Sequence, residues 1–172
     1  MRRLIFVLLL YMPLGITAQA THNALQDQIF FARDKVLPAL VHIEPIIKIY
    51  TRGEKQHALV TGSGVIFSEE GYVITNHHVA ANAEKVWCTL SNKERITARV
   101  IGSDPSTDIA VLKLNIDELS DPQDIPFSEL GDSDSLQVGQ IVLALGSPLG
   151  LSRSVSMGVI SSIDRYFPEV GS

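Results

Sequence analysis

Cysteine is almost missing from this chain. Cys88 is the only one among 172 residues, which excludes an internal disulfide and leaves a thiolate metal site without a ligand set. It sits in the strand-like run Val86-Trp87-Cys88-Thr89-Leu90 and reads as a small buried hydrophobe. Positive charge is scarce as well. Against 19 Asp and Glu stand 14 Lys and Arg, a net charge of −5, so no basic surface offers itself to nucleic acid. Aromatic residues amount to 6% and are scattered, which argues against a platform for stacking bases. No internal repeat or low-complexity tract is evident. Apolar residues nevertheless make up 45%, enough for a real core in one domain or two small lobes.

The first twenty residues form a targeting segment. Arg2 and Arg3 precede an apolar run from Leu4 through Met12, and Ala18-Gln19-Ala20 gives the small-x-small pattern of a signal peptidase site. Pro13 and Gly15 interrupt the run, which is shorter than the ~20 residues a membrane span needs. A cleaved signal peptide over 1–20 is therefore expected, with an uncleaved membrane tether as the alternative. Cleavage removes two cations and no acid, taking the net charge from −5 to −7. The mature chain is exported and acidic; in a bacterium that means the periplasm.

Residues 24–37 place apolar side chains at helical spacing and stop before Pro38, so the N-terminal segment 21–38 reads as a short amphipathic helix packed on the body of the protein. From Ala39 the period changes. Strands are expected over 41–43, 46–50, 85–90, 96–101, 109–114, 140–145 and 155–163, with a polar turn at 51–56. A further hairpin joins Val65-Ile66-Phe67 to Tyr72-Val73-Ile74-Thr75 through Ser68-Glu69-Glu70-Gly71. Many short strands with frequent turn signals predict an all-β barrel or sandwich. The acidic, proline-containing stretch 115–126 lacks alternation and reads as a linker between a first lobe, 39–114, and a second starting at Phe127.

The chemistry centres on His77 and His78, at the end of the hairpin's second strand. They can be core or surface residues, metal ligands, or a base. His22, His42 and His57 share no ligand-like spacing with them, which disfavours a metal. Neighbours on a strand face opposite sides, so only one of the pair can address a given cleft; alternation does not say which. Asp108 stands at the mouth of the apolar strand 109–114, where a carboxylate needs a partner, and an imidazole N–H is a suitable one. Asp104, before Pro105, is more simply a turn residue.

Several motifs, in order, make the chain recognisable. Thr61-Gly62-Ser63-Gly64-Val65-Ile66, Tyr72-Val73-Ile74-Thr75-Asn76-His77-His78-Val79 and the segment 104–114 resemble the HtrA/Do (DegP-like) trypsin-fold serine proteases. So do Leu130-Gly131-Asp132-Ser133, Ala144-Leu145-Gly146-Ser147-Pro148-Leu149-Gly150-Leu151 and the run 154–163. The resemblance implies a trypsin-like double β-barrel with the first barrel complete, the second incomplete and a short N-terminal helix. It implies His78 as general base, since it directly precedes the motif's valine, with His77 structural and Asp108 as the orienting carboxylate. It implies proteolysis of unfolded or misfolded polypeptides without metal or organic cofactor. It also implies a homotrimer or larger homo-oligomer built through N-terminal segments, here 21–38.

The resemblance also implies a nucleophile in a Gly-Asn-Ser-Gly-Gly-Pro segment, and none occurs in these 172 residues. Ser63, Ser147, Ser154, Ser156, Ser161 and Ser162 are not in a nucleophile elbow. The oxyanion-hole N–H groups around the missing serine are absent with it. The expectation is a serine endopeptidase truncated within its second lobe, 127–172, inactive by itself and without the family's PDZ modules. A half-built barrel also leaves open sheet edges. The alternative is a non-catalytic peptide-binding or degenerate protease-like protein.

Overall fold

The computed structural model describes residues 24–51, 54–59, 61–81, 83–147 and 154–164 of the chain. The signal peptide read over 1–20 lies outside them. Helix α1 (Ala24–Val36) runs into a single 3-10 turn, Leu37–Ala39. Pro38 forces the change, because a proline inside an α-helix loses a hydrogen bond and clashes with the preceding turn.

Seven strands follow: β1 (Leu40–Thr51), β2 (Glu54–Leu59), β3 (Gly62–Ile66), β4 (Tyr72–Asn76), β5 (Lys85–Thr89), β6 (Arg95–Asp104) and β7 (Ile109–Leu114). The sheet runs β2-β1-β3-β4-β7-β6-β5 and β5 returns to β1, so six strands close a barrel with β2 outside the ring. All these pairings are antiparallel. The all-β expectation is met. Every second residue of β4, β5 and β7 is buried, and Ile43, Ile66, Val73, Val86, Cys88, Ile96, Leu112 and Leu114 fill the interior at 2% exposure or less. Each such aliphatic side chain contributes roughly 1.5–3 kcal/mol on leaving water.

Three local expectations are corrected. The two strands read at 41–43 and 46–50 are one, β1. Pro45 does not break it. Ile46 accepts a hydrogen bond from the Glu84 N–H on the β5 side, so the nitrogen of Pro45 points to the opposite edge, at the junction of β2 and β3. There its missing donor disturbs least. The stretch read as a polar turn, 51–56, contains the start of β2. The register Ile46↔Leu59 and Ile43↔Gly62 runs on one ladder, so β2 and β3 form a single return ribbon opposite β1. Finally, β6 extends to Asp104 with a bulge between Val100 and Gly102, which leaves Ile101 exposed.

The hairpin between β3 and β4 turns as its sequence requires. The Gly71 N–H donates to the Ser68 carbonyl, and Gly71 has φ +80. A Cβ there would also lie 2.8 Å from Ile116, so glycine is needed on both counts.

A second sheet pairs β8 (Ile141–Gly146) with β9 (Ser154–Val159). Helix α1 lies beside β8, where Leu25, Ile29, Ala32 and Val36 border a cleft shared with Ile141, Leu143 and Leu145 and no helix residue is buried. That i, i+4, i+7, i+11 stripe is the apolar face seen in the sequence. Among the described residues no helix is long and apolar enough to cross a membrane.

Candidate active site

The ladder between β4 and β7 builds the site. Its last pair is Asn76↔Ile109, which brings the residues after Asn76 beside the residue before Ile109. Thirty positions of sequence are thereby crossed in one step. Immediately after Asn76 the chain coils into a single helical turn, α2 (His77–Ala80), closed by the Ala81 N–H donating to the His77 carbonyl at 2.9 Å. The two histidines therefore stand on a helical turn, not at a strand end. Val79 and Ala80 anchor it in the core at 4% and 0% exposure, while His78 turns outward.

Asp108 is held from two sides. Its Oδ1 accepts the backbone N–H of His78 at 3.0 Å, and its Oδ2 lies 2.7 Å from His78 Nδ1. The Nδ2 of Asn76 donates to the same Oδ2 at 3.1 Å and to the Asp108 carbonyl at 3.2 Å. That carbonyl also accepts the His77 N–H at 3.0 Å. Asp108 reaches this arrangement in the left-handed region, φ 54, which Asp tolerates better than most residues and which concentrates at functional sites. The Asn76 amide is engaged by Asp108 rather than capping α2.

The electrostatics follow from these donors. The His78 backbone N–H, opposed by partial desolvation and helped by the His78 ring, its charge and Asn76, holds the Asp108 carboxyl below its ordinary range. An ionised carboxylate accepts only, so Nδ1 of His78 must carry the proton. Whenever the ring is neutral in that tautomer, Nε2 is a lone-pair acceptor able to take a proton from a hydroxyl. The side chains of His78 and Asp108 stay 67% and 44% exposed. As an ion pair in water the contact adds little stability; its value lies in fixing the tautomer and ring orientation.

The remaining candidates separate from this centre. His77 gives its N–H to Asp108, and its Nδ1 is buried without a hydrogen-bond partner among the described residues. Asp104 accepts the Ser106 N–H at 2.9 Å and the hydroxyls of Ser106 and Thr107, a turn-forming pattern. These bonds, with a smaller contribution from His77, lower its carboxyl as well. Ser63 uses its hydroxyl to accept the Ser147 N–H at 2.8 Å. Among the described residues the His78 ring bonds to Asp108, not to a serine. Reasoning from sequence overlooked Asn76 as a partner, although it stands inside the Thr75-Asn76-His77-His78-Val79 motif.

A trypsin-like peptidase domain matches residues 62–171. A probable periplasmic serine endoprotease, DegP-like, of Pseudomonas putida is 43% identical over 118 residues, covering 68% of this chain and 24% of that protein. The protein of the same name from Chlamydia trachomatis is 44% identical over 111 residues, 64% of this chain and 21% of the other. The solved HtrA-type protease AlgW with a decapeptide superimposes at a TM-score of 0.62 and 31% identity, covering 76% of this chain and 44% of that one. This chain thus spans less than a quarter of the length of these two curated relatives. A closed first barrel, a second sheet packed beside it, a His–Asp pair at the end of the β4–β7 ladder and a family match over more than half the residues converge: the chain belongs to the trypsin-like peptidase family, with the HtrA/DegP-like serine proteases.

Proposed function

We propose that this chain supplies the His–Asp half of a Ser-His-Asp acyl-transfer centre in a serine endopeptidase of the cell envelope. The observation that carries the proposal is the Asp108 carboxylate, bonded at once to the ring and the backbone of His78. In this reading His78 Nε2 takes the proton of an attacking serine hydroxyl and later donates it to the leaving amine. Asp108 holds the ring in the required tautomer and stabilises the imidazolium. No metal or organic cofactor enters these steps.

The substrates are unfolded or misfolded polypeptides. The solved relative with a bound decapeptide supports a peptide ligand, and relatives named periplasmic support export to the periplasm behind a cleaved signal at 1–20. The segment 21–38 is the candidate for homotrimer contacts. The 172 residues hold no Gly-Asn-Ser-Gly-Gly segment, so the chain by itself does not hydrolyse peptides.

A fluorophosphonate probe tests this. The purified chain is expected to remain unlabelled and to leave unfolded casein intact. Robust labelling that disappears in His78→Ala would place a working nucleophile within these residues and overturn that part of the proposal. Reading the source DNA past codon 172 is expected to reveal a Gly-Asn-Ser-Gly-Gly run; a stop codon there would favour the non-catalytic alternative.

A further inference from the structure

His42 occupies an odd position for a buried residue. Its neighbours on β1, Val41 and Ile43, point into the barrel core at 0% exposure, so by alternation His42 points to the outer face. It is nevertheless only 8% exposed. Its ring meets Ser147, the residue directly after β8. His42 Nδ1 lies 3.0 Å from the carbonyl of Ser147, and a carbonyl only accepts, so Nδ1–H is the donor.

The residue directly across the ladder from His42 is Ser63. Its hydroxyl accepts the N–H of that same Ser147 at 2.8 Å. One cross-strand pair thus grips both backbone polar groups of a single residue, as a partner strand would, but with side chains. Ser63 is braced from behind, because its carbonyl accepts the Thr75 hydroxyl at 2.8 Å. Thr75 precedes Asn76 by one residue and His78 by three. Gly62, beside Ser63, abuts Val79 of α2. The grip is therefore tied into the strand and the helical turn that carry the His–Asp pair.

We infer that His42 and Ser63 are positioning residues: a two-point clamp on Ser147 that fixes the end of β8 against the elements bearing His78 and Asp108. The role in catalysis rests on the proposed Ser-His-Asp reading, while the clamp stands on its own distances. In acyl transfer the base and the groups contributed by the second lobe must keep their spacing within about 0.5 Å, and a 1 Å error costs on the order of a hundredfold in rate. A clamp between the two sheets serves that need. Neither residue touches the reacting atoms.

Residue-resolved amide hydrogen exchange on the 172-residue chain tests the clamp. Losing one such bond is expected to speed exchange of the Ser147 amide about tenfold in Ser63→Ala and in His42→Phe, which fills the site without a donor. His42→Asn, whose Nδ2 offers an N–H close to the position of Nδ1, is expected to hold the rate within about threefold of the unsubstituted chain. Amides of β4 and β7 keep their rates throughout. Equal Ser147 rates in His42→Phe and His42→Asn overturn the inference, as does an unprotected Ser147 amide in the unsubstituted chain. Where His42→Phe does not fold, Ser63→Ala against Ser63→Thr, which retains the hydroxyl, decides in its place. The low-field proton resonance of His78 Nδ1–H reports separately on the relay. Ring 15N shifts of His78 that place the proton on Nε2 in the neutral ring refute the catalytic reading and leave the clamp to the exchange data.

Discussion

Replacing Gly62 by alanine should damage the site from behind. A Cβ at this position would sit 2.6 Å from Val79 Cγ1, 2.7 Å from Cγ2 and 3.2 Å from Cβ. Carbon atoms pack comfortably at roughly 3.5–4.0 Å, so the two must separate by about 1 Å. Rotating Val79 does not solve this, because both methyl groups are in the way and a β-branched side chain is stiff at χ1. The backbone of α2 has to yield, and Val79 directly follows His78. Overpacking of this kind costs about 1–3 kcal/mol. The lost freedom of glycine in the unfolded chain returns only about 0.4–1 kcal/mol of that. With a melting shift of roughly 2–4 °C per kcal/mol for a chain of this size, Gly62→Ala is expected to melt several degrees below the parent. Gly102→Ala is the control, since no atom lies within 4 Å of its added Cβ. The stronger test is a double-mutant cycle. Val79→Ala alone loses two buried methyl groups, about 1.5–2.5 kcal/mol. Combined with Gly62→Ala it also removes the two shortest contacts and leaves only the one at 3.2 Å, so the pair should be less damaging than the sum by about 1 kcal/mol or more. Additive effects, or a Gly62→Ala chain as stable as Gly102→Ala, would refute the reasoning.

Two further outcomes are expected. Asp108 is held below its ordinary value in the folded chain, so its contribution to stability is present above the unfolded value of about 3.9 and is lost as pH falls through the folded one; urea midpoints should therefore drop less steeply below about pH 4 in Asp108→Asn than in the parent, and equal slopes would contradict the assignment. Burial, with some help from Glu44, pushes the Cys88 thiol up to about 12; an aromatic disulfide reagent near pH 8, close to the ordinary thiol value of about 8.5, should find no thiol in the folded chain and one per chain in urea.

Much of this architecture was legible in the sequence wherever one face of a strand is buried. The short apolar, β-branched runs Tyr72-Val73-Ile74-Thr75 and Ile109-Ala110-Val111-Leu112-Lys113-Leu114, bounded by turn residues, mark β4 and β7, whose alternate side chains enter the core. Strand β2 left no such trace. Glu54-Lys55-Gln56-His57 is polar throughout, and its strand character comes from continuing a ladder set by β1 and β3. Pro45 disguised the continuity of β1 for a related reason, since its harmlessness depends on which edge its nitrogen faces. In the candidate site, His78 and Asp108 were found through motifs. The helical turn under His78 was not, because four residues carry no measurable period. Nor was the pairing of His42 with Ser147, which joins residues 105 positions apart; no local pattern encodes such a contact.

The closed ring of strands has a kinetic consequence. The pairings β3–β4, β5–β6 and β6–β7 join strands adjacent in the chain and can form early as independent hairpins. Two ladders cannot: β1 with β5 and β4 with β7 each join segments roughly forty residues apart, and loop closure must precede any reward. Such topologies fold in milliseconds to seconds rather than microseconds. The His78–Asp108 contact hangs on the final rung of β4–β7, so it is assembled by one of these two long-range closures and not by a local hairpin. A half-folded chain carries both residues apart, and the pair meets only once the β4–β7 ladder has zipped to its last rung.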